Sequence, residues 1–132
     1  MKKVLIPIDG TDRGLKAVEF AKGQWGPEEA SFILLTVRED VGASPTEAYY
    51  EEAKADMAVV FQQATELLPG YKVHDIGAFG RAGDHILDTA EQEKVDAIVM
   101  TKSTRKGWHK IIGSVTAHVV KYATTMIMIV PE

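Results

Sequence analysis

The chain has no cysteine, no apolar run as long as a membrane span, and no linker that would mark a second domain. It has 132 residues and a net charge of −4. Without cysteine, disulfide scaffolds, thiolate zinc sites, iron–sulfur clusters and cysteine nucleophiles are excluded. A membrane helix needs about 20 apolar residues in succession, and the N-terminus does not resemble a signal peptide. We expect one soluble, cytoplasmic domain over residues 1–132 that does not enter a membrane.

Acidic residues are missing from residues 97–131, although the whole chain has 19 of them. Four Lys and Arg residues lie close together in this stretch, at 102–110. A charge run of this kind is either a solvated face or a loop that faces an anion. The acidic remainder argues against nucleic acid as a partner, because a nucleic-acid footprint usually makes the whole domain basic.

Short apolar runs alternate with amphipathic segments along the whole chain. Strands are predicted at residues 4–8, 32–37, 71–78, 97–100 and 126–130. The third run is the weakest, so we expect it at an edge of the sheet. The second run is continuous and does not alternate between polar and apolar residues, which indicates that both of its faces are covered. This alternation predicts an α/β fold with a parallel sheet and helices on both faces.

Two helices have clear start signals. The second helix should begin with Ser44 as N-cap, Pro45 at the first position and Glu47 closing a capping box, and it should end at residues 69–70. Ser114 should cap the last helix, with Val115, Val119 and Tyr122 facing the core.

Open α/β sheets bind ligands beyond the carboxyl ends of their strands, where the strand order reverses. We expect three segments to meet there: the end of the first strand with Pro7 and Asp9, the second strand at Val37, and the segment from Thr101 to the last helix. Gly113 before that helix permits close backbone approach. The N–H groups of the first turn are unpaired donors at the positive end of the helix dipole, which suits phosphate. These donors belong to Ser114, Val115 and Thr116.

The chain resembles the universal stress protein family. Pro7, Asp9, Gly10 and Thr11, followed by Ala17 and Ala21, look like that family's opening. Residues 95–100, a basic loop, the Gly-Ser-Val-Thr of 113–116 and the final strand Met126–Val130 are similar to its second half.

The resemblance implies a Rossmann-like, three-layer α/β/α fold with a five-stranded parallel sheet in the order 3-2-1-4-5. It also implies a homodimer through the C-terminal strand Met126–Val130, and ATP or another adenine nucleotide at the switch point. Carried over by position, Asp9 faces the ribose or adenine, Val37 contacts adenine through its backbone and Pro7 lines the floor. Lys102 and Arg105 add charge near the phosphates, which the amides at Gly113, Ser114 and Val115 would hold.

The sequence departs from the family's nucleotide-binding pattern in one place. Nucleotide-binding members have Gly-x-x-Gly, nine residues, and then Gly-Ser or Gly-Thr. Here Thr101 and Thr104 occupy the first two glycine positions, and eight residues separate Thr104 from Gly113. Threonine is β-branched and does not readily adopt the backbone conformations that glycine allows. A structural or interaction dimer of the same family that binds no nucleotide is therefore the alternative.

Other interpretations stay open at this point. Asp9 either stabilises the turn or acts as a base, and Trp108 either anchors its loop or covers a bound base. The four histidines lack metal-ligand spacing. A receiver-like signalling domain would use Asp9, Asp12 and Asp75 with Lys102, although Asp75 is predicted inside a strand. No base, nucleophile or metal set is evident, so we expect no enzymatic turnover, and protein partners other than a second copy are not identifiable.

Overall fold

The computed structural model describes residues 1–39, 45–102 and 113–131. Nine elements alternate along these ranges: β1 (Lys2–Pro7), α1 (Asp12–Gln24), β2 (Ala30–Arg38), α2 (Glu47–Thr65), β3 (Val73–Phe79), α3 (Ala82–Gln92), β4 (Ala97–Thr101), α4 (Ser114–Tyr122) and β5 (Met126–Val130). The strands form one parallel sheet in the order β3-β2-β1-β4-β5. The predicted fold class and strand order are confirmed, and β3 lies at an edge as expected.

The core consists of two apolar layers, one on each face of the sheet. Phe32 and Leu34 of β2 point into the layer that contains residues of α1 and α2. Ile33 and Leu35 point to the other side, against α3 and α4. This explains why the second strand shows no polar alternation, because both of its faces are buried. Within the described ranges, every helix is too short or too polar to traverse a lipid bilayer.

The predicted start of α2 is wrong by two residues. Its N-cap is Thr46, whose hydroxyl oxygen accepts a hydrogen bond from the backbone N–H of Tyr49 at 3.1 Å. Glu47 is then the first helical residue, where its negative charge interacts favourably with the positive end of the helix dipole. The predicted cap, Ser44, lies outside the described residues. The helix also ends earlier than predicted, at Thr65, and the chain continues in turns.

Two predictions about α4 are also wrong. Its N-cap is Gly113 rather than Ser114, which is the first helical residue. Tyr122 is 55% exposed instead of facing the core. Val119 is the apolar α4 residue that is buried in the core against the sheet. The ring of Tyr122 lies against the ring of His118, with 5.0 Å between the ring centroids.

Candidate functional site

The carboxyl ends of β1, β2 and β4 meet at one edge of the sheet, where they enclose a cavity of about 210 Å³. The connection from β1 to β2 runs toward one side of the sheet, and the connection from β4 to β5 runs toward the other side. The strand order therefore reverses between β1 and β4, which makes this edge the switch point of the sheet. The predicted residues that line the cavity are Pro7, Asp9, Val37, Thr101 and Val115. The three predicted segments are therefore adjacent in space.

Asp9 builds the turn that follows β1. Its Oδ1 accepts hydrogen bonds from the backbone N–H of Thr11 at 3.0 Å and from the Thr11 hydroxyl at 2.5 Å. Gly10 has a φ of +84°, a conformation that side chains rarely adopt. The turn-stabilising interpretation of Asp9 is thus confirmed. Oδ2 lies 4.0 Å from Arg13 Nη2, at the rim of the cavity.

Arg13 and Glu39 line the cavity but were not identified from the sequence. Glu39 Oε2 accepts a hydrogen bond from the backbone N–H of Ala82 at 3.2 Å, which ties the end of β2 to the start of α3. Arg13 lies in the first turn of α1, beside Asp9. The only sequence signal for either residue is that it follows the end of a strand by a few positions, and this is too common to single them out.

The first turn of α4 is fixed to the end of β4. Thr116 is completely buried, and its hydroxyl donates a hydrogen bond to the backbone carbonyl of Thr101 at 3.2 Å. The predicted contribution of Thr116 is therefore limited to its backbone, because its side chain holds two structural elements together. Lys102 continues the connection to the sheet, since its N–H donates to the carbonyl of Val130 at 3.3 Å.

Ser114 does not line the main cavity. It lies with Arg81 and His118 around a neighbouring cavity of about 320 Å³ between α3 and α4. The two cavities share Glu39 and Val115 as lining residues. Gly113 has a φ of −64°, which any residue can adopt, so the helix start does not depend on glycine.

Part of the predicted site falls on residues that the structure does not describe. Thr104, Arg105 and Trp108 lie outside the described ranges. Asp75, which the receiver-like hypothesis would place with Asp9, sits in the middle of β3 and lines a groove against α2. The acidic residues required for that hypothesis therefore do not come together.

Several known proteins resemble this chain over nearly its whole length. The universal stress protein MJ0531 of Methanocaldococcus jannaschii is 29% identical, and the match covers 99% of this chain and 82% of that protein. The solved structure of the hypothetical protein MJ0577 is 28% identical, with a TM-score of 0.78 over 99% of this chain and 96% of that one.

Two further solved structures agree in fold at lower identity. A universal stress protein in complex with cAMP is 21% identical, with a TM-score of 0.76 over 98% of this chain and 96% of that one. A universal stress protein from Archaeoglobus fulgidus in complex with dAMP is 17% identical, with a TM-score of 0.70 and the same coverage of both chains. The sequence pattern of the universal stress protein family matches residues 1–131, and the chain belongs to that family.

Proposed function

We propose that this protein is a regulatory member of its family that binds an adenine nucleotide at the switch point of the sheet and does not turn it over. The observation that carries the proposal is that Pro7, Asp9, Val37, Thr101 and Val115, from the three predicted segments, line one cavity. Two proteins of the same fold have been solved with cAMP and with dAMP. Both ligands consist of an adenine, a sugar and a single phosphate.

We propose that the described cavity takes only the nucleoside part of such a ligand. Its volume of about 210 Å³ is below the roughly 300–1,000 Å³ of pockets that enclose a drug-sized molecule. Pro7 and Val37 provide apolar contact and backbone hydrogen-bonding groups for a base. Asp9 provides a carboxylate that can accept from an amino group or a sugar hydroxyl.

The phosphates would extend toward the start of α4. The N–H groups of Ser114, Val115 and Thr116 have no acceptor within the helix, and the helix dipole favours an anion there. Lys102 adds a positive charge at the end of β4, and we propose the same contribution for Arg105. Threonine at positions 101 and 104 replaces the glycines that permit the closest backbone approach, so we expect weaker retention of the phosphates than in members with Gly-x-x-Gly.

Thermal unfolding in the presence of nucleotide tests this proposal. A ligand that binds only the folded chain stabilises it by about 2.7 kcal/mol at a concentration of 100 times Kd. We therefore expect the Tm to rise steadily with the concentration of ATP, AMP or cAMP. Absence of any shift at millimolar concentrations of all three would leave the alternative, a family dimer that acts without nucleotide.

Gly113→Asp separates binding from folding. Because Gly113 has a φ of −64° and occupies the N-cap, an aspartate can adopt this backbone conformation without strain and can cap α4. Its carboxylate would occupy the N–H groups that we assign to phosphate. We expect an unchanged or higher Tm without ligand and loss of the nucleotide-dependent shift. Gly23→Asp is the matched control, because Gly23 has open space around it in α1 and is not a cavity residue.

We also propose a homodimer through β5. This strand is a sheet edge with five apolar residues and no charge, and Met126 at its start is 54% exposed. An unprotected edge of this kind pairs readily with another strand. Met126→Lys should lower the molar mass measured by light scattering toward that of a monomer. Val59→Lys is the control, because Val59 is equally exposed, at 56%, but lies on α2.

A further inference from the structure

The two edges of the sheet differ in charge. β5 has no ionisable side chain, whereas β3 carries His74 and Asp75. Asp75 pairs in register with Leu34, which points into the layer beneath α1 and α2. The Asp75 carboxylate is therefore on the face of the sheet that α2 covers, and it lines a groove there with Phe61 and Glu66.

This position is unfavourable for a carboxylate in the isolated chain. Asp75 remains largely exposed at the strand edge, but α2 shields it enough from water to raise its pKa, an effect that the attraction of His74 partly opposes. Glu66 contributes a like charge to the same groove. Among the described residues, Asp75 has no hydrogen bond or ion pair in compensation. Contacts among the described residues of a single chain therefore do not account for an aspartate here.

A need to avoid pairing between the β3 strands of two copies explains it better. The rest of the strand is apolar or small apart from His74: Val73, Ile76, Gly77, Ala78 and Phe79. Its outer edge carries backbone groups without a neighbouring strand, which is a template for a second copy. Antiparallel pairing about a two-fold axis through Ile76 would place the two Asp75 side chains diagonally, roughly 7–8 Å apart. An axis through Asp75 itself would place them directly opposite, about 4.5–5.5 Å apart.

We propose that Asp75 prevents two copies of this chain from pairing through β3, and so confines self-association to other surfaces. A two-fold register centred on His74, Asp75 or Ile76 brings the two like charges together and removes them further from water. An inward-pointing charge on an edge strand is a recognised defence against such pairing. Without the Asp75 charge, a chain that pairs through both β3 and β5 would form open-ended polymers, because each copy would have two sheet edges that can pair with another copy.

Asp75→Val tests the proposal. Valine removes the charge and is favoured in strands. We expect the mass-average molar mass, measured by light scattering after gel filtration, to rise at least twofold above the wild type at the same high protein concentration, and to keep rising with concentration. Glu66→Val is the matched control. It removes one carboxylate from the same groove but lies outside the strand, so its mass should equal that of the wild type.

A cysteine reporter shows which edge pairs, because the natural chain has no cysteine. His74→Cys places one thiol on β3, and a flexible bismaleimide then joins copies paired in any of several registers. We expect cross-linked dimers when His74→Cys is combined with Asp75→Val, and none with His74→Cys alone. Met126→Cys reports on β5 in the same way. The proposed dimer through β5 and the proposed effect of Asp75 on β3 are therefore tested separately, and either one can be refuted while the other stands.

Three results would overturn the proposal. The first is an Asp75→Val protein that is folded by circular dichroism but has the wild-type mass. The second is an equal rise in mass for Glu66→Val, which would make the effect one of the groove and not of the strand edge. The third is cross-linking through His74→Cys in the presence of Asp75, which would show that the carboxylate does not block this edge.

Discussion

Thr116→Val should destabilise the protein although it barely changes the shape of the side chain. Thr116 is fully buried, and its hydroxyl donates to the carbonyl of Thr101 at 3.2 Å, which holds the first turn of α4 against the end of β4. Valine keeps the β-branch but leaves that carbonyl without this donor. Loss of such a bond costs about 1–2 kcal/mol, the upper value applying when the carbonyl stays without a partner. At about 4 °C per kcal/mol for a domain of this size, the Tm should fall by roughly 4–8 °C.

Thr89→Val provides the comparison. Thr89 is also buried, at 8% exposure, but among the described residues its hydroxyl has no hydrogen-bond partner. Its replacement should change stability by less than about 0.5 kcal/mol. Both variants are measured by urea unfolding and by thermal unfolding followed by circular dichroism. Equal losses for the two variants would refute the reasoning, because the effect would then come from the general cost of the substitution and not from the bond to Thr101.

Two further predictions concern a charge and a close contact. Because the pKa of Asp75 is raised in the folded chain, the stabilising protonated form is present at low pH and lost as the pH rises through the raised pKa. Asp75→Asn should therefore raise the Tm at pH 7, and this gain should vanish when the pH falls below the usual aspartate pKa of about 3.9. A gain in Tm that persists at low pH would show that the charge of Asp75 is not its cause. Gly83→Ala should cost about 1–3 kcal/mol in urea unfolding, because a Cβ at Gly83 would lie 2.7 Å from His118 Cδ2. Gly23→Ala, with nothing within 4 Å, should instead gain up to about 1 kcal/mol from helix propensity; a loss at both glycines would show that the contact with His118 is not the reason.

The sequence was most informative where local patterns repeat. Residues 32–37 show no alternation of polar and apolar side chains, and this correctly predicted a strand buried on both faces. The predicted limits of β5, Met126–Val130, are those observed. Helix starts were less predictable, because Ser44 and Thr46 are both competent caps, and only the bond from the Tyr49 N–H to Thr46 decides between them.

The candidate site was only partly predictable. Pro7, Asp9 and Val37 could be assigned because each follows or ends a strand at the edge where ligands bind. Glu39 could not, because its role depends on the N–H of Ala82, which is distant in sequence. For Thr116 the sequence pointed only to the backbone N–H, because the bond from its hydroxyl to the Thr101 carbonyl depends on how α4 packs against the end of β4.

The amino-acid sequence by itself determined the alternation of strands and helices, the burial of β2 and the absence of all cysteine chemistry, because these follow from composition and short-range periodicity. The tertiary structure decided which side chains meet at the ends of the strands and on which face Asp75 lies. Those facts depend on strand register and helix packing, which bring together residues that no local pattern connects.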